Sequence, residues 1–350
     1  MTSPLPLPTV PRPDLLADRW GRVARDLRVS LTDRCNLRCT YCMPAEGMQW
    51  LEREEVLDDE EVVRLVTIAV TRLGIREVRF TGGEPLLRRS LEQIVAATAS
   101  LRTDLGTRPD ISLTTNALGL ERRARALREA GLDRVNVSLD SVDPRGYAQL
   151  ARRDRFQDVV RGIDAALEAG LGPVKVNAVA MRGANDSGLP ELLDFCLARA
   201  LELRIIEEMP LGPRESWNRA SILGEEGILE ILGRGHRLSP RPATDPSAPA
   251  RLWDVAAGNG LPGGTVGIIA SVTDPFCATC DRTRITADGQ MRPCLFGDLE
   301  VDLRALLRGG ASDDDIVTAW RGGMGLKRRA HGLDEGGIAS PTRRMSAIGG

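Results

Sequence analysis

The sequence predicts an α/β fold in which a parallel sheet either curves into an open, partial (βα)6 TIM-like barrel or lies flat as a doubly wound sheet. Six strand-like segments alternate with helical patterns, and several of these helices end in glycine, which suits a left-handed C-cap. Such repeats build parallel sheets with right-handed crossovers, and six units are too few for a closed eight-stranded barrel. The predicted strands are 27–32, 77–81, 111–116, 134–140, 174–179 and 203–209. The predicted helices are 58–73, 88–101, 121–130, 156–169 and 189–200.

Each predicted strand is apolar on one face and polar on the other. Strands of a buried parallel sheet are normally apolar on both faces, so the polar faces should share an interior that holds a polar ligand. Four cations lie on that face: Arg28, Arg79, Lys175 and Arg204. Because unpaired buried charges are costly, they indicate an anionic ligand such as a phosphate ester. Internal salt bridges are the alternative, since Asp140 and Glu208 share the same phase.

Composition excludes several functional classes. The chain has 350 residues, a formal net charge of −2 and 3% aromatic residues, which argues against nucleic-acid binding. No apolar run approaches the roughly 20 residues that a membrane helix needs. The proline-rich start, MTSPLPLPTVPRP, lacks the basic and apolar regions of a signal peptide. We therefore expect a cytoplasmic protein whose residues 1–20 form a disordered lead-in.

The regular alternation ends near residue 210. We expect a barrel over 21–210, an extension over 211–335 that caps its open side, and a flexible Gly-Gly tail over 336–350. Within the extension, residues 238–250 are rich in proline, serine and alanine and predict a loop. The segment GGTVGIIASVTDPFC predicts a strand that runs into a cysteine-bearing turn.

Seven cysteines in a long chain without an export signal favour metal ligation over disulfides. Cys196 stands alone in an apolar helical pattern and is expected to be a buried hydrophobic residue. The other six form two trios: Cys35, Cys39 and Cys42 in one, and Cys277, Cys280 and Cys294 in the other. Three thiolates suit an iron–sulfur cluster that keeps one iron open for chemistry, whereas the spacing and the absence of nearby histidines make zinc a weaker interpretation.

The spacing CxxxCxxC resembles that of the radical S-adenosylmethionine (SAM) superfamily, and Thr81-Gly82-Gly83-Glu84-Pro85 stands where such enzymes carry a GGE motif. From about residue 26 to residue 350, the chain resembles the GTP 3′,8-cyclase family. The resemblance rests on SLTDRCNLRCTYCMP, VRFTGGEPLLRR, TTN, NVSLDS, FCATCDRTR, CLFG and the terminal Gly-Gly. It implies a partial (βα)6 barrel of the radical SAM type with a C-terminal extension that bears a second cluster.

The resemblance also implies roles for individual residues. Each cysteine trio would hold a [4Fe–4S] cluster. SAM would be bound by Tyr41, Gly83, Glu84, Ser138 and Met209. GTP would be bound by Arg28, Arg79, Thr114, Lys175, Arg282, Thr283 and Arg284, to which the strand phase adds Arg204. The tail residues Gly349 and Gly350 would reach toward the active site.

The implied reaction converts GTP to 3′,8-cyclo-7,8-dihydro-GTP, the first step of molybdenum cofactor biosynthesis. The implied partners are a flavodoxin or ferredoxin-like electron donor and a downstream cyclic pyranopterin monophosphate synthase, with a homodimer left open. The alternatives are another radical SAM enzyme with an auxiliary cluster, such as a peptide modifier, and a zinc-stabilised binding protein. Two residues depart from the family pattern, since Glu77 replaces a basic residue and Ala117 replaces a glycine.

Overall fold

The computed structural model describes residues 15–212, 217–332 and 342–349, which fold around one twelve-stranded sheet. Its strands, β1 to β12, span Asp26–Ser30, Glu77–Thr81, Asp110–Thr115, Arg134–Ser138, Lys175–Ala180, Glu202–Glu207, Leu238–Arg241, Arg251–Val255, Gly264–Ile269, Arg282–Ile285, Gln290–Arg292 and Val301–Asp302. The α-helices of the described residues, α1 to α10, span Asp59–Arg72, Leu91–Ala99, Ala124–Glu129, Pro144–Ala151, Phe156–Glu168, Leu189–Ala198, Glu225–Gly233, Leu303–Arg308, Asp313–Gly325 and Met345–Ile348.

The sheet has the order β12-β11-β10-β1-β2-β3-β4-β5-β6-β9-β8-β7. Its central eight strands, from β10 through β1–β6 to β9, are all parallel. The predicted (βα)6 unit is therefore confirmed. The outer parallel strands β9 and β10 come from the C-terminal part of the chain, and antiparallel strands continue the sheet beyond both, so the sheet stays open.

The apolar strand phase packs against the helices as predicted. Leu27, Phe80, Leu113 and Val137 are fully or almost fully buried. On the helical side, α1 begins at a capping box in which the Asp58 carboxylate accepts from the Glu61 amide. The apolar stripe of α1 faces this sheet surface, which leaves the polar strand phase on the other, concave side.

One local prediction needs correction, and two elements near the site, α4 and β10, were not predicted. Residues 238–250 were expected to form a loop, but Leu238–Arg241 is strand β7. It is the outermost strand of the sheet, where the missing amide hydrogen of Pro240 can be tolerated. Helix α4 was not predicted, although Asp143 caps its N-terminus and Pro144 opens it. Strand β10 was not predicted either, because RTRI carries two charged residues.

The C-terminal tail, expected to be flexible, is packed over residues 342–349. Arg343 makes a paired contact with Asp288, at 2.9 and 2.8 Å, and also binds Glu300. These bonds hold α10 in place, and Ile348 at its end is fully buried. Residues 1–14, 213–216, 333–341 and Gly350 lie outside the described residues. The predicted disordered lead-in over 1–20 is therefore described only from residue 15, and there it is packed, since Leu16 is fully buried and Ala17 pairs with Val23.

None of the described helices is both long enough and apolar enough to span a membrane.

Candidate functional site

One cavity occupies the concave side of the sheet and collects most of the residues that the sequence singled out. Both cysteine trios line it, together with the polar faces of several strands. The predicted site residues that line it are Arg28, Cys35, Cys39, Tyr41, Cys42, Arg79, Gly83, Glu84, Thr114, Ser138, Arg204, Met209, Cys277, Cys280, Arg282, Arg284 and Cys294.

Lys175, Thr283 and Gly349 are described but are not among the residues that line the cavity. Lys175 begins β5, and its ammonium lies 3.7 Å from the Glu202 carboxylate, which also binds Arg204 at 2.7 Å. Thr283 occupies the opposite face of β10 from Arg282 and Arg284, because side chains alternate along a strand. Its hydroxyl accepts a hydrogen bond from the Trp320 indole at 3.1 Å, so the structure does not support a side-chain contact to GTP. Gly350 is outside the described residues.

The first cysteine loop directly follows β1 and is held by backbone contacts with α4. The Arg38 and Thr40 amides donate to the Ala151 and Leu150 carbonyls at 3.1 and 3.0 Å. The Leu37 amide points at the Cys35 sulfur at 3.4 Å. The unpredicted helix α4 therefore fixes the loop that carries Cys35, Cys39 and Cys42.

The glycine-rich turn after β2 packs tightly against the same loop. The Gly83 amide donates to the Thr32 carbonyl at 2.7 Å. A Cβ atom at Gly83 would collide with the carbonyl oxygens of Asp33 and Arg34, just before Cys35. This glycine is thus required for the approach of two backbone segments. From the sequence we expected it to make room for a ligand.

Glu84 is almost fully buried and already accepts several hydrogen bonds from its own chain. Its carboxylate accepts from the Thr115 hydroxyl at 2.7 Å and from the Asn116 and Leu86 amides at 2.8 and 3.0 Å. Burial raises the pKa of Glu84 to about 7, although these bonds oppose the shift. The side chain therefore ties the glycine turn to the end of β3, and the predicted bond to the SAM amino group would be an additional one.

Asp140 is a site residue whose partner the sequence did not reveal. The Tyr41 hydroxyl donates to its carboxylate at 2.9 Å, and the Val179 amide donates to the other oxygen at 2.9 Å. Among the described residues this carboxylate bonds to a hydroxyl and a backbone amide and forms no ion pair with the cations of the polar face. Its place on the polar strand phase was the only signal in the sequence.

The cavity has more buried cations than carboxylates. Asp26 is the counter-charge of two of them, at 3.7 Å from Arg28 and 3.3 Å from Arg282. Burial alone would raise the pKa of Asp26, but the surrounding arginines outweigh it and lower that pKa to about 2. Burial, followed by repulsion from Arg79, lowers the pKa of Arg28 well below its ordinary value. One carboxylate among these guanidinium groups leaves a positive site that fits an anion.

Several polar atoms on this face have no hydrogen-bond partner within the described parts of the chain. They are the Nε atoms of Arg28 and Arg79, Ser30 Oγ, Asn177 Oδ1 and both amide atoms of Asn136. Buried polar groups are normally paired, so a row of unpaired donors and acceptors points to a bound polar molecule. Internal salt bridges alone do not satisfy this face.

The second trio lies around a short 3₁₀ turn, Phe276–Thr279, and a loop after β11. Lys327, which is almost completely buried, donates to the Cys280 sulfur at 3.4 Å and to the Cys280 and Arg282 carbonyls at 3.1 and 2.9 Å. Burial disfavours the Cys280 thiolate, but Lys327 and Arg282 overcome that effect and lower its pKa. The sequence analysis gave Lys327 no role in the site, although a residue type that occurs only twice in the chain was a signal that it could have one.

Burial disfavours the charged form of the thiols in the first trio. Burial raises the pKa of the Cys35 and Cys42 thiols to about 11 and about 12, so they would ionise only on binding a cationic centre. Among the described residues, no group of three or more His, Cys, Asp or Glu side chains is arranged to hold one ion. Ligands of one zinc must converge on one point, whereas a cluster takes each thiolate on a separate iron.

The described end of the chain, residues 345–349, reaches the same cavity. Met345 and Ser346 line it, and the Gly349 backbone lies against Ser30 and Thr81 at the ends of β1 and β2. The Arg284 guanidinium donates to the Gly349 carbonyl at 2.5 Å. The tail therefore contacts the cationic wall beside the first cysteine loop.

Sequence comparisons find close relatives over nearly the whole chain. A GTP 3′,8-cyclase of Corynebacterium glutamicum strain R is 56% identical over 96% of this chain and 89% of its own length. A GTP 3′,8-cyclase of Mycobacterium marinum is 57% identical over 96% of this chain and 92% of its own length. A GTP 3′,8-cyclase 2 of Mycobacterium tuberculosis is 56% identical over 97% of this chain and 94% of its own length.

Family models and solved structures agree with this result. Residues 29–196 match the radical SAM superfamily, and residues 201–333 match a family described as Molybdenum Cofactor Synthesis C. Streptococcus suis SuiB bound to the precursor peptide SuiA matches with a TM-score of 0.52 and 14% identity, covering 89% of this chain and 69% of that one. The same protein bound to SAM matches with a TM-score of 0.50 and 16% identity, covering 79% of this chain and 62% of that one. At such identity the likeness concerns the fold alone. The relatives, by contrast, share more than half of their residues with this sequence over nearly its full length, and the chain belongs to the GTP 3′,8-cyclase family of radical SAM enzymes.

Proposed function

We propose that the cavity holds GTP between two [4Fe–4S] clusters, with its phosphates on the arginine wall. As a radical SAM GTP 3′,8-cyclase, the enzyme uses SAM and an iron–sulfur cluster to convert GTP to 3′,8-cyclo-7,8-dihydro-GTP, in the first step of molybdenum cofactor biosynthesis. The finer assignment of residues rests on one observation. A surplus of buried cations shares a single cavity with both cysteine trios.

The first trio fits a cluster that binds SAM. When bound, cluster and SAM supply the 5′-deoxyadenosyl radical that removes hydrogen from C3′ of GTP. The chain's own task is to place that sugar carbon beside SAM and to keep water away. Tyr41, Gly83, Ser138 and Met209 are assigned to SAM, and they lie around the first loop and the neighbouring strand ends.

The second trio fits a cluster whose open iron would bind the guanine base. Lys327 supports this assignment, because its buried ammonium lacks a carboxylate partner among the described residues and instead meets the Cys280 sulfur. Ligation would leave the trio negatively charged, which supplies the missing counter-charge. Arg282 and Arg284, on the adjacent strand, are assigned to GTP.

The activity is tested by anaerobic incubation of the reconstituted enzyme with GTP, SAM and dithionite, followed by mass analysis of the nucleotide. We expect 3′,8-cyclo-7,8-dihydro-GTP together with 5′-deoxyadenosine. 5′-Deoxyadenosine accompanied by unchanged GTP would reject the assigned substrate. A colourless protein with no iron would reject both clusters.

Substitution of Arg79 tests the phosphate wall. We expect Arg79→Ala to weaken GTP binding by about 2 kcal/mol, roughly 30-fold in Kd, because a charge-assisted hydrogen bond is lost. Anaerobic equilibrium dialysis measures the effect. Arg76→Ala is the matched control, since Arg76 lies three residues away and pairs with Asp104 on the surface. Equal affinity in the Arg79 variant and the control would contradict the assignment.

Lys175 does not line the cavity, but it should make GTP binding dependent on pH because it shares Glu202 with Arg204, which does line it. Burial, followed by repulsion from Arg204, lowers the pKa of Lys175 to about 8, although Glu202 partly offsets this. The ammonium that attracts phosphate is therefore lost as the pH rises through that value. We expect Kd for GTP to rise by up to about tenfold between pH ~7 and pH ~9.

Equilibrium dialysis over this pH range, with Lys175→Arg as control, measures the dependence. Arginine stays protonated, so its profile should be flat. A flat profile for the wild-type chain would show that Lys175 does not contact the nucleotide.

The remaining assignments concern partners and organisation. We further propose a flavodoxin or ferredoxin-like electron donor, a cyclic pyranopterin monophosphate synthase as the next enzyme, a cytoplasmic location and a homodimer. We keep the division into a barrel over 21–210 and an extension over 211–335. Gly349 and Gly350 are proposed to complete the active site, which the bond from Arg284 to the Gly349 carbonyl supports.

A further inference from the structure

A second groove lies on the outer surface, separate from the catalytic cavity. Arginine side chains and exposed leucine dominate its lining. Its lining includes Asn36, Leu87, Arg122, Arg123, Arg153 and Arg155. Leu87 is 45% exposed, which is unusual for a large apolar side chain in this chain. An apolar centre with a charged rim is typical of a protein-binding surface.

The groove is strongly basic. Among the described residues that line it, none is an aspartate or glutamate. Arg123 is held by Glu92, and Arg155 by Asp158, both from outside the groove lining. Arg122 and Arg153 are exposed, and neither has an ion pair within the described residues. Their charges are therefore available to an acidic partner.

The groove touches the first cysteine loop at one residue. Asn36 lines the groove and directly follows Cys35. Its side-chain oxygen accepts from the Asn116 amide at 2.7 Å, and the same amide lies 3.9 Å from the Cys35 sulfur. Asn36 therefore lies between the groove and the Cys35 sulfur, which faces the catalytic cavity. A protein on this surface would lie next to the first trio without entering the space assigned to SAM and GTP.

We propose that this groove docks an acidic electron-carrier protein that reduces the cluster on Cys35, Cys39 and Cys42. This inference rests on the proposed function, since it requires a cluster at that trio. One electron passes from the reduced cofactor of the carrier, which is oxidised by one electron, to the cluster, which is reduced by one electron. No bond forms or breaks in this step. The free guanidinium groups of Arg122 and Arg153 steer the acidic surface of the carrier into place.

The experiment uses the anaerobic holoenzyme and reduced flavodoxin as the probe. The double variant Arg122→Glu/Arg153→Glu is mixed with flavodoxin in a stopped-flow instrument, and bleaching of the cluster absorbance is followed. We expect the second-order rate of reduction to fall at least about tenfold at low ionic strength, because attraction becomes repulsion. Reduction by dithionite, which needs no docking surface, should change less than about twofold. Arg234→Glu, at an exposed arginine that follows the last residue of α7, is the control and should leave both rates unchanged.

The outcomes separate the groove from the proposed function. An unchanged flavodoxin rate in the double variant overturns the docking site. Equal slowing with flavodoxin and dithionite also overturns it, because that result would show a damaged cluster loop. If the wild-type holoenzyme has no dithionite-reducible cluster at the first trio, the proposed function itself fails. A milder variant, Arg122→Gln/Arg153→Gln, should give a smaller loss that disappears as salt is raised.

Discussion

Cys294→Ala should abolish the cyclic nucleotide while leaving SAM cleavage measurable. Cys294 lines the same cavity as the first trio but belongs, with Cys277 and Cys280, to the trio assigned to the second cluster. Without its third thiolate that cluster should be lost or misplaced, so GTP would no longer be held with C3′ beside SAM. Misplacement of a reacting group costs on the order of 100-fold in rate, and we expect the product to fall by at least about that factor. Mass analysis of the nucleotide and of 5′-deoxyadenosine measures both reactions.

Cys196→Ala is the matched control for this experiment. Cys196 is fully buried on α6 and faces the core, away from both trios. This variant should keep its full iron content and its cyclase activity, whereas Cys294→Ala should lose about half of the iron. Normal product yield from Cys294→Ala would disprove the second-cluster assignment.

Gly83→Ala should disable SAM cleavage itself. The new methyl group would collide with backbone carbonyls of Asp33 and Arg34, which cannot move without shifting Cys35. Overpacking of this kind costs about 1–3 kcal/mol of unfolding free energy. Because the cysteine loop would be displaced as well, we expect formation of 5′-deoxyadenosine to fall by about 100-fold. Urea unfolding and a SAM cleavage assay with dithionite measure the two effects.

Gly235→Ala is the control, because a Cβ atom at that position meets no atom within 4 Å and the backbone is not in the left-handed region. It should leave SAM cleavage unchanged. If the Gly83→Ala variant cleaves SAM at the wild-type rate, the tight contact between the two loops does not position the cluster.

The strand phase was the most informative feature of the sequence for locating the site. Alternation along the strands placed Arg28, Arg79, Thr114 and Arg204 on one face, and all four line the cavity. The same rule, applied to the RTR segment, would have separated Thr283 from its two arginine neighbours. The family resemblance assigned the whole segment to GTP, and the segment had not been recognised as a strand.

Contacts between distant segments could not be read from the sequence. The bonds of Lys327 to Cys280, of Tyr41 to Asp140 and of Arg284 to Gly349 join residues 47, 99 and 65 positions apart. Local patterns carry no information about such pairs, because they depend on how strands and loops meet after folding. The packed tail is the clearest case, since its own composition indicated only flexibility.

The repeated strand and helix pattern, the two cysteine trios and a polar strand face rich in cations could all be read from the order of the residues. These features follow from local periodicity and side-chain chemistry, which act over a few residues. Folding was needed to reveal that β9 and β10 extend the parallel sheet, that both trios share one cavity, and that Asp26 is a counter-charge of the cavity arginines. The physical reason is that sheet order and charge balance arise from contacts between segments far apart in the chain, and these exist only once the chain has folded.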